Sequence, residues 1–243
     1  KIMKAKIFFS ISSLLAFIIL SSLQSKKNPV VTKKPNIIFI AVDDLRPQLN
    51  CYGKNQIISP NIDDLASASY TYENAVCNFP VCGASRASLL TGLRPNKNRF
   101  KTFHTRMDED ANDVLTIGEW FKKNEYFTLS LGKISHHTND SPESWSIPAW
   151  RGDKNWRDYQ TKENIEAAET NNNNGAAEAF EVGENLIDDY GDTKMVNKAM
   201  EQLDELTKKE QPFFMALGFL KPHLPFNAPK KYWDLYDEKD IEL

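Results

Sequence analysis

The chain has 243 residues, of which 41% are hydrophobic, and this is enough apolar material for a packed core in one large or two small domains. The 30 lysines and arginines nearly balance the 33 aspartates and glutamates, which argues against a nucleic-acid binder with a dense basic surface. Three cysteines are too few for a disulfide-stapled scaffold, and no C-x-x-C pair indicates a structural zinc site.

The N-terminal segment differs in composition from the rest of the chain. Residues 1–25 place three lysines before an apolar run from Ile7 to Leu20 and serines after it, which is the order of a secretory signal peptide. The run is shorter than the ~20 residues that cross a bilayer, so we expect no stable membrane span. Residues 26–34 are expected to be an extended linker, because prolines disfavour helix there. The sequence therefore predicts an exported protein, either periplasmic or extracellular.

The predicted domain covers residues 35–243 and begins with a strand. Residues 36–42 are a continuous β-branched and aromatic run, typical of a strand buried on both faces of a parallel sheet. A helix is expected from Pro60 to about Ser69, because a serine precedes a first-turn proline. Residues 70–76 have the composition of a second strand.

Two further helices are indicated by their ends. One is expected to begin around Ser85 and to stop at Gly92. The other is indicated by the capping-box spacing of Thr116 and Glu119, and its expected core face is Ile117, Trp120 and Phe121.

The remaining elements return to the alternating pattern. A strand is expected at 127–131, a polar excursion outside the sheet at about 138–190, and a strand at 212–219. A helix precedes the last strand, with apolar side chains at helical spacing: Met195, Ala199, Met200, Leu203 and Leu206. Strands that alternate with helices indicate an α/β domain with a mainly parallel central sheet flanked by helices, and its ligands should lie beyond the carboxyl ends of the strands.

Candidate functional residues follow the predicted strands or begin a helix. Asp43 and Asp44 follow the first strand and could bind Ca²⁺ or Mg²⁺, although a bare Asp-Asp pair is more often a solvated turn or a helix cap. Cys82 lies near Arg86 at a predicted helix start, where the helix dipole and the guanidinium would act on a thiol. A lone cysteine is more often a small core residue.

Three of the four histidines fall in two turns that follow strands, 132–137 and 221–226, and this concentration favours a site over scattered structural histidines. Paired acids for a metal, together with cations from Arg86, Lys133 and His223, would offset charge on a tetrahedral oxyanion and on a leaving oxygen. The residues therefore fit a hydrolase of phosphate or sulfate esters. A cysteine-dependent acyl hydrolase is the alternative.

The segment Cys82-Gly-Ala-Ser-Arg86, with Leu89-Leu-Thr-Gly92 after it, resembles the signature of the type I sulfatase family. The likeness covers nearly all of residues 35–236. Several shorter motifs most resemble the iduronate-2-sulfatase branch of that family: Arg46-Pro, Cys51-Tyr-Gly53, Gly132-Lys-Ile-Ser-His136 and Lys221-Pro-His223. The resemblance implies an alkaline-phosphatase-like sulfatase fold and removal of sulfate from a sulfated glycan or a glycosaminoglycan-like substrate.

The resemblance also implies a modified nucleophile and a metal. Cys82 would be oxidised to Cα-formylglycine (3-oxoalanine), and a hydroxyl of its hydrate would attack sulfur. Asp43, Asp44 and the modified Cys82 would bind one Ca²⁺. Ala84 stands where proline is commoner, and this variant resembles bacterial substrates of the anaerobic radical maturase, which is the expected partner enzyme.

Four further roles follow from the same resemblance. Arg86 and Lys133 would stabilise the hydrated aldehyde, and His136 would take the proton that lets sulfate leave. His223 would bind the sulfate and help protonate the leaving alcohol. His137 matches no expected position and is predicted to lie behind the site or at the surface.

Family members continue past the equivalent of residue 243, and their remaining metal ligands and a sulfate-binding lysine lie in that later part. We therefore expect this chain to be the N-terminal catalytic portion, with its C-terminal part missing, and to bind Ca²⁺ weakly and turn over no substrate alone.

Two other functions are open. One is a phosphate or phosphonate ester hydrolase of the same superfamily. The other is a non-catalytic glycan-binding protein that stacks Trp145, Trp150 and Trp156 on sugar rings. Whether Cys51 pairs with Cys77 is also open, since export permits a disulfide.

Overall fold

The computed structural model describes residues 33–152, 156–170, 176–184 and 187–241. The predicted signal peptide and most of the predicted linker lie outside these residues. Residues Pro35–Leu243 form one compact unit. In the described part of the chain, no helix combines the length and the apolar character needed to cross a membrane.

Strands and helices alternate along the described residues. The strands are β1 (Ile37–Val42), β2 (Phe127–Gly132), β3 (Phe180–Gly183), β4 (Phe213–Phe219) and β5 (Phe226–Pro229). The helices are α1 (Pro60–Ser67), α2 (Cys82–Thr91), α3 (Met107–Asp110), α4 (Ile117–Lys123), α5 (Lys162–Thr170), α6 (Gly191–Leu206) and α7 (Lys230–Trp233). Short 3-10 helices cover Asn50–Tyr52, Pro142–Ser144, Ile187–Asp189 and Glu238–Asp240.

The central sheet has three parallel strands in the order β1-β4-β2, which confirms the predicted parallel sheet. Val42 of β1 pairs with Phe219 of β4, and Gly132 of β2 pairs with Gly218. All three strands therefore end at the same edge. The residues that follow each strand are brought together there, as expected for a parallel sheet.

The two faces of β4 pack against different helices. Phe214 and Ala216 belong to a buried cluster, which we call the α2 cluster, with three residues of α2, namely Ala84, Ala87 and Leu90. Phe213, Met215 and Leu217 belong to a second buried cluster with three residues of α6, namely Met195, Ala199 and Leu206. This alternation has the period of two that a strand imposes. The predicted arrangement of helices flanking a mainly parallel sheet is thus confirmed.

The prediction that β1 is buried on both faces is wrong. Ile38 and Ile40 are 47% and 52% exposed, whereas Phe39 packs against the α2 cluster. The physical reason is position, because β1 is an edge strand of the described sheet, whereas the buried residues of α6 cluster with those of β2 and β4. A continuous apolar run does not distinguish a central strand from an edge strand.

The predicted strand at 70–76 is also wrong, since this segment contains only turns and irregular backbone. Tyr70, Tyr72 and Val76 are largely exposed, and no described strand lies beside them to accept hydrogen bonds. Strand-like composition alone does not provide a pairing partner.

The capping box of α4 is confirmed, because the Thr116 hydroxyl accepts from the Glu119 amide and the Glu119 carboxylate accepts from the Thr116 amide. Its predicted core face is only partly correct. Phe121 packs on Phe214, with 4.5 Å between ring centroids, but Ile117 and Trp120 are exposed.

The region predicted as a polar excursion outside the sheet, 138–190, contains two short 3-10 helices, α5 and β3. Its first part packs on the central sheet, since Trp145 is buried in the α2 cluster and Trp150 forms a bridge with Leu131 of β2. Further along, β3 pairs in parallel with β5 in a separate two-stranded sheet.

Candidate active site

The carboxyl edge of the central sheet gathers most of the residues that the sequence singled out. Each strand is followed by at least one of them, and α2 begins with another. The set comprises Asp43 and Asp44 after β1, Lys133, His136 and His137 after β2, His223 after β4, and Cys82 and Arg86 on α2.

Three buried charges form the centre of this edge. Arg86 Nη2 lies 3.0 Å from Asp43 Oδ1, and Lys133 Nζ pairs with the other oxygen of the same carboxylate. Asp43 is only 5% exposed, and both cations are buried. Burial alone would raise the pKa of Asp43, but Arg86 and Lys133 more than offset burial, and the net pKa is lowered. We call this the Asp43–Arg86–Lys133 cluster.

The cluster has two cations for one carboxylate, so it carries a surplus of positive charge in a poorly solvated place. Arg86 Nη1 also donates to the carbonyl of Ile134, at 2.9 Å, and this holds the turn after β2 against α2. Such a fixed positive region favours an anionic ligand.

Cys82 is the first residue of α2, three residues earlier than the helix start expected from the sequence. Its Sγ lies 3.3 Å from His136 Nδ1. The adjacent Gly83 packs under the Phe103 carbonyl, whose oxygen would lie 2.5 Å from a Cβ at this position. A side chain at residue 83 would therefore displace the backbone that carries Cys82.

His136 is neutral near pH 7. Burial, and then the positive charge of Lys133 and of other neighbours, lowers its pKa to about 4. A neutral imidazole can accept a proton, and its Nδ1 faces the side chain of Cys82.

Arg151 was not identified from the sequence, although it binds the backbone of the turn after β2 that carries His136. Its Nη1 donates to the His136 carbonyl at 2.8 Å, and its Nη2 donates to the carbonyl of Ser135. Burial lowers the pKa of Arg151 to about 10. No spacing pattern in the sequence links Arg151 to His136, because the hydrogen bonds join two separate turns of the chain.

His223 lies on the loop between β4 and β5. Its Nδ1 is 2.6 Å from the Leu224 carbonyl, so Nδ1 carries a proton and Nε2 is the nitrogen left to interact with a ligand. Nε2 lies 3.9 Å from Asp44 Oδ2, which is too long for a hydrogen bond. Asp44 itself is exposed and has a left-handed backbone with φ of 56°.

The loop that carries His223 is fastened to the first turn of α6. Asp192 Oδ1 and Oδ2 accept from the backbone amides of Leu220 and Lys221, each at 2.9 Å. Lys221 Nζ donates to the Pro225 carbonyl at 2.8 Å, and burial lowers the pKa of Lys221 to about 8. Asp192 was missed at the sequence level, because an acid in a helix's first turn is common and carries no sign of its distant partner.

A cavity of about 580 Å³ opens beside these groups. Lys133, His136 and His223 are the predicted site residues that line it. Its other polar and aromatic walls come from Phe103, Thr138, Arg151, Trp156, Asp158, Asp192, Lys194 and Lys221. A cavity of this size is typical of small-molecule sites.

The three tryptophans singled out as sugar-stacking candidates have different environments. Trp145 and Trp150 pack against the two core clusters. Trp156 is 47% exposed and lines the cavity. Only Trp156, of these three, is placed to contact a ligand there.

The donor set for the predicted Ca²⁺ is incomplete in the described residues. Both oxygens of Asp43 are engaged by Arg86 and Lys133, and Asp44 points its carboxylate toward solvent beside His223. Within the described ranges, no group of three His, Cys, Asp or Glu side chains is arranged to hold a metal. Since Ca²⁺ takes six to eight oxygen ligands, these residues do not by themselves form a calcium site.

His137 packs edge-on against His136, with 4.9 Å between ring centroids, and its buried Nε2 has no hydrogen-bond partner among the described residues. It therefore lies next to the site and not in the cavity wall. Cys51 and Cys77 are free thiols in the structure, so the disulfide between them that the sequence left open is not formed.

The chain is similar in sequence to known proteins. The Sulfatase family matches residues 35–242. Human iduronate 2-sulfatase is 37% identical over 215 residues, an alignment that covers 86% of this chain and 38% of the human protein. The chain thus spans well under half the length of that relative.

Solved structures give the same fold. A protein in complex with its substrate D-glucosamine-2-N,6-O-disulfate superposes with a TM-score of 0.56 at 25% identity, over 79% of this chain and 35% of that one. A phosphonate monoester hydrolase of Agrobacterium radiobacter superposes with a TM-score of 0.64 at 17% identity, over 86% of this chain and 45% of that one, which indicates a shared fold. On the match to residues 35–242, this chain belongs to the sulfatase family.

Proposed function

We propose that the full-length protein containing this chain is an exported sulfuric ester hydrolase that removes sulfate from a sulfated glycan. The observation that carries the proposal is the pairing of Cys82 with the neutral His136, at 3.3 Å, beside the Asp43–Arg86–Lys133 cluster. The similarity to human iduronate 2-sulfatase, and to a protein bound to a disulfated glucosamine, supports the substrate class.

In this proposal, a formylglycine made from Cys82 by an anaerobic radical maturase supplies the oxygen nucleophile. His136 Nδ1 takes up a proton from the side chain at position 82, since it faces that side chain and is neutral near pH 7. Arg86 and Lys133 offset negative charge that develops on the same side chain and on the sulfate.

His223 acts at the leaving group. Its Nδ1 donates to the Leu224 carbonyl, so only the imidazolium form, which carries a second proton on Nε2, can donate from Nε2 to a sulfate oxygen and pass that proton to the departing alcohol. Asp192 and Lys221 keep this loop in place through the amide and carbonyl contacts described above.

Asp43 and Asp44 are proposed to contribute carboxylates to a Ca²⁺ site in the full-length protein, together with ligands from the region that longer family members carry. Signal-peptide residues 1–25 are proposed to direct export to the periplasm or beyond.

The Cys82–His136 pair alone would also fit a cysteine-dependent acyl hydrolase. Such enzymes hold the thiolate beside a protonated histidine. Because burial and nearby cations lower the pKa of His136 to about 4, His136 does not supply that positive charge near neutral pH. The match of the Sulfatase family to residues 35–242, which include both Cys82 and His136, favours the sulfatase chemistry.

The proposal is tested by comparing ester classes. We expect full-length protein, made with a maturase that is active on a control sulfatase, to hydrolyse 4-nitrophenyl sulfate at least about tenfold faster, in kcat/KM, than 4-nitrophenyl phosphate or phenylphosphonate esters, equal to about 1.4 kcal/mol. A preference for phosphate or phosphonate would instead support the superfamily alternative. Glycan binding without turnover of any ester would support a binding protein in which Trp156 contacts the sugar.

A further inference from the structure

Five of the six charged side chains that line the cavity have hydrogen-bond or ion-pair partners within the protein. Six side chains in its wall carry full charges: Lys133, Arg151, Asp158, Asp192, Lys194 and Lys221. The partners of these side chains show which of them is available to bind a ligand.

The two acids are used by the protein's own groups. Asp158 Oδ2 accepts from the Gly191 amide at 2.7 Å, and its Oδ1 accepts from Gln160 Nε2 at 2.8 Å. Asp192 accepts from two backbone amides of the β4–β5 loop. Neither carboxylate forms an ion pair with a lysine of the wall among the hydrogen bonds and salt bridges of the described residues.

Three of the four cations are also engaged. Lys133 pairs with Asp43, Arg151 donates to the carbonyls of Ser135 and His136, and Lys221 donates to the Pro225 carbonyl. Each of these three side chains therefore has a hydrogen-bond or ion-pair partner within the protein.

Lys194 is different. It lies in the first turn of α6, where its backbone amide bonds to the Tyr190 carbonyl at 3.0 Å. The next residue, Met195, is 1% exposed in the core, so the helix that presents Lys194 is firmly seated. Across the part of the chain that the structure describes, no acceptor pairs with Lys194 Nζ, although the side chain is half-buried in the cavity wall.

We propose that Lys194 binds a second acidic group of the substrate, a carboxylate or another sulfate, separate from the sulfate ester that is hydrolysed. The inference rests on the proposed sulfatase function. An ammonium on a half-buried side chain that has no hydrogen-bond acceptor among the described residues gains most from an anionic partner that enters the same cavity. Lys194 thereby makes the enzyme selective for sugars with at least two acidic groups.

The test uses matched substrate pairs with the matured full-length protein. One pair is a 2-O-sulfated uronic acid glycoside and its methyl ester, which differ only in the carboxylate. The other pair is D-glucosamine-2-N,6-O-disulfate and D-glucosamine-6-O-sulfate. Sulfate release is followed by ion chromatography. We expect the wild type to prefer the substrate with the second acidic group by about tenfold in kcat/KM in at least one pair.

Two variants identify the residue responsible. Lys194→Met is expected to abolish this preference while changing kcat/KM for 4-nitrophenyl sulfate by less than about twofold, and Lys194→Arg is expected to retain it. Lys198→Met is the matched control, because Lys198 lies one turn along α6, is exposed, and pairs with Glu201 at 3.2 Å outside the cavity.

The outcomes separate the two levels of the proposal. A wild type without preference in either pair, or a Lys194→Met variant that keeps the preference, would overturn the role of Lys194 while leaving sulfatase activity intact. A wild type that hydrolyses neither the sugars nor 4-nitrophenyl sulfate would overturn the proposed function and this inference with it.

Discussion

Replacing Cys82 by alanine is expected to lower sulfatase kcat/KM of the matured full-length protein by about 10⁴-fold, since removal of a nucleophile leaves only binding and charge stabilisation. The fold should persist. Cys82 begins α2, where alanine is a strong helix former, and the one side-chain hydrogen bond of its thiol within the described part of the chain is with His136. The measurement is steady-state hydrolysis of 4-nitrophenyl sulfate, with thermal unfolding as the check on folding.

Cys77→Ala is the matched control for this substitution. Cys77 is an exposed free thiol five positions earlier in the chain, so its removal should leave kcat/KM within about twofold. If Cys82→Ala retained a tenth or more of the wild-type activity, the nucleophile would have to be another group.

Asp43→Asn is expected to destabilise the protein by about 3–5 kcal/mol, because it leaves Arg86 and Lys133 buried without their shared counter-charge. The measurement is denaturant-induced unfolding at pH 7 in the presence of a chelator, so that bound metal does not contribute. Asp44→Asn is the control. Asp44 is exposed, and its carboxylate lies 3.9 Å from His223 Nε2, beyond hydrogen-bond distance, so a change within about 0.5 kcal/mol is expected.

The loss of stability caused by Asp43→Asn is expected to depend on pH. Arg86 and Lys133 offset the effect of burial and lower the pKa of Asp43 below its usual 3.8. The unfolded chain therefore binds this proton at a higher pH than the folded protein does. The contribution of Asp43 is complete above pH 3.8 and is lost as the pH falls through the lowered pKa. The difference in stability between wild type and Asp43→Asn should thus shrink below pH 4. A difference that is small at pH 7, or that grows in acid, would contradict the assigned ion pairs.

Local pattern predicted those parts of the fold that depend on neighbours in sequence. The apolar runs located β1, β2 and β4, and the Thr116–Glu119 spacing located the start of α4. Alternation of strands and helices then predicted a parallel sheet. Since such a sheet collects the ends of its strands at one edge, it also predicted that Asp43, Lys133 and His223 lie near one another.

The parts that sequence did not predict depend on distant partners. Ile38 and Ile40 have the composition of buried strand residues, but their exposure is decided by which strand lies beside β1 and which helix covers it. Arg151 acts on carbonyls fifteen and sixteen positions earlier, and Asp192 holds amides nearly thirty positions later. Such pairs have no periodic signature. Lys194 differs from the other charged side chains of the cavity only in lacking an acceptor among the described residues, and this difference depends on three-dimensional contacts.

The measurement that tests the central claim most directly is the mass of the tryptic peptide Asn55–Arg86 from full-length protein produced with an active anaerobic maturase. This peptide contains Cys77 and Cys82 and no internal lysine or arginine. We expect an aldehyde in place of the Cys82 thiol, with Cys77 unmodified. An intact thiol at Cys82, in a preparation where a control sulfatase is converted, would contradict a formylglycine nucleophile in this protein.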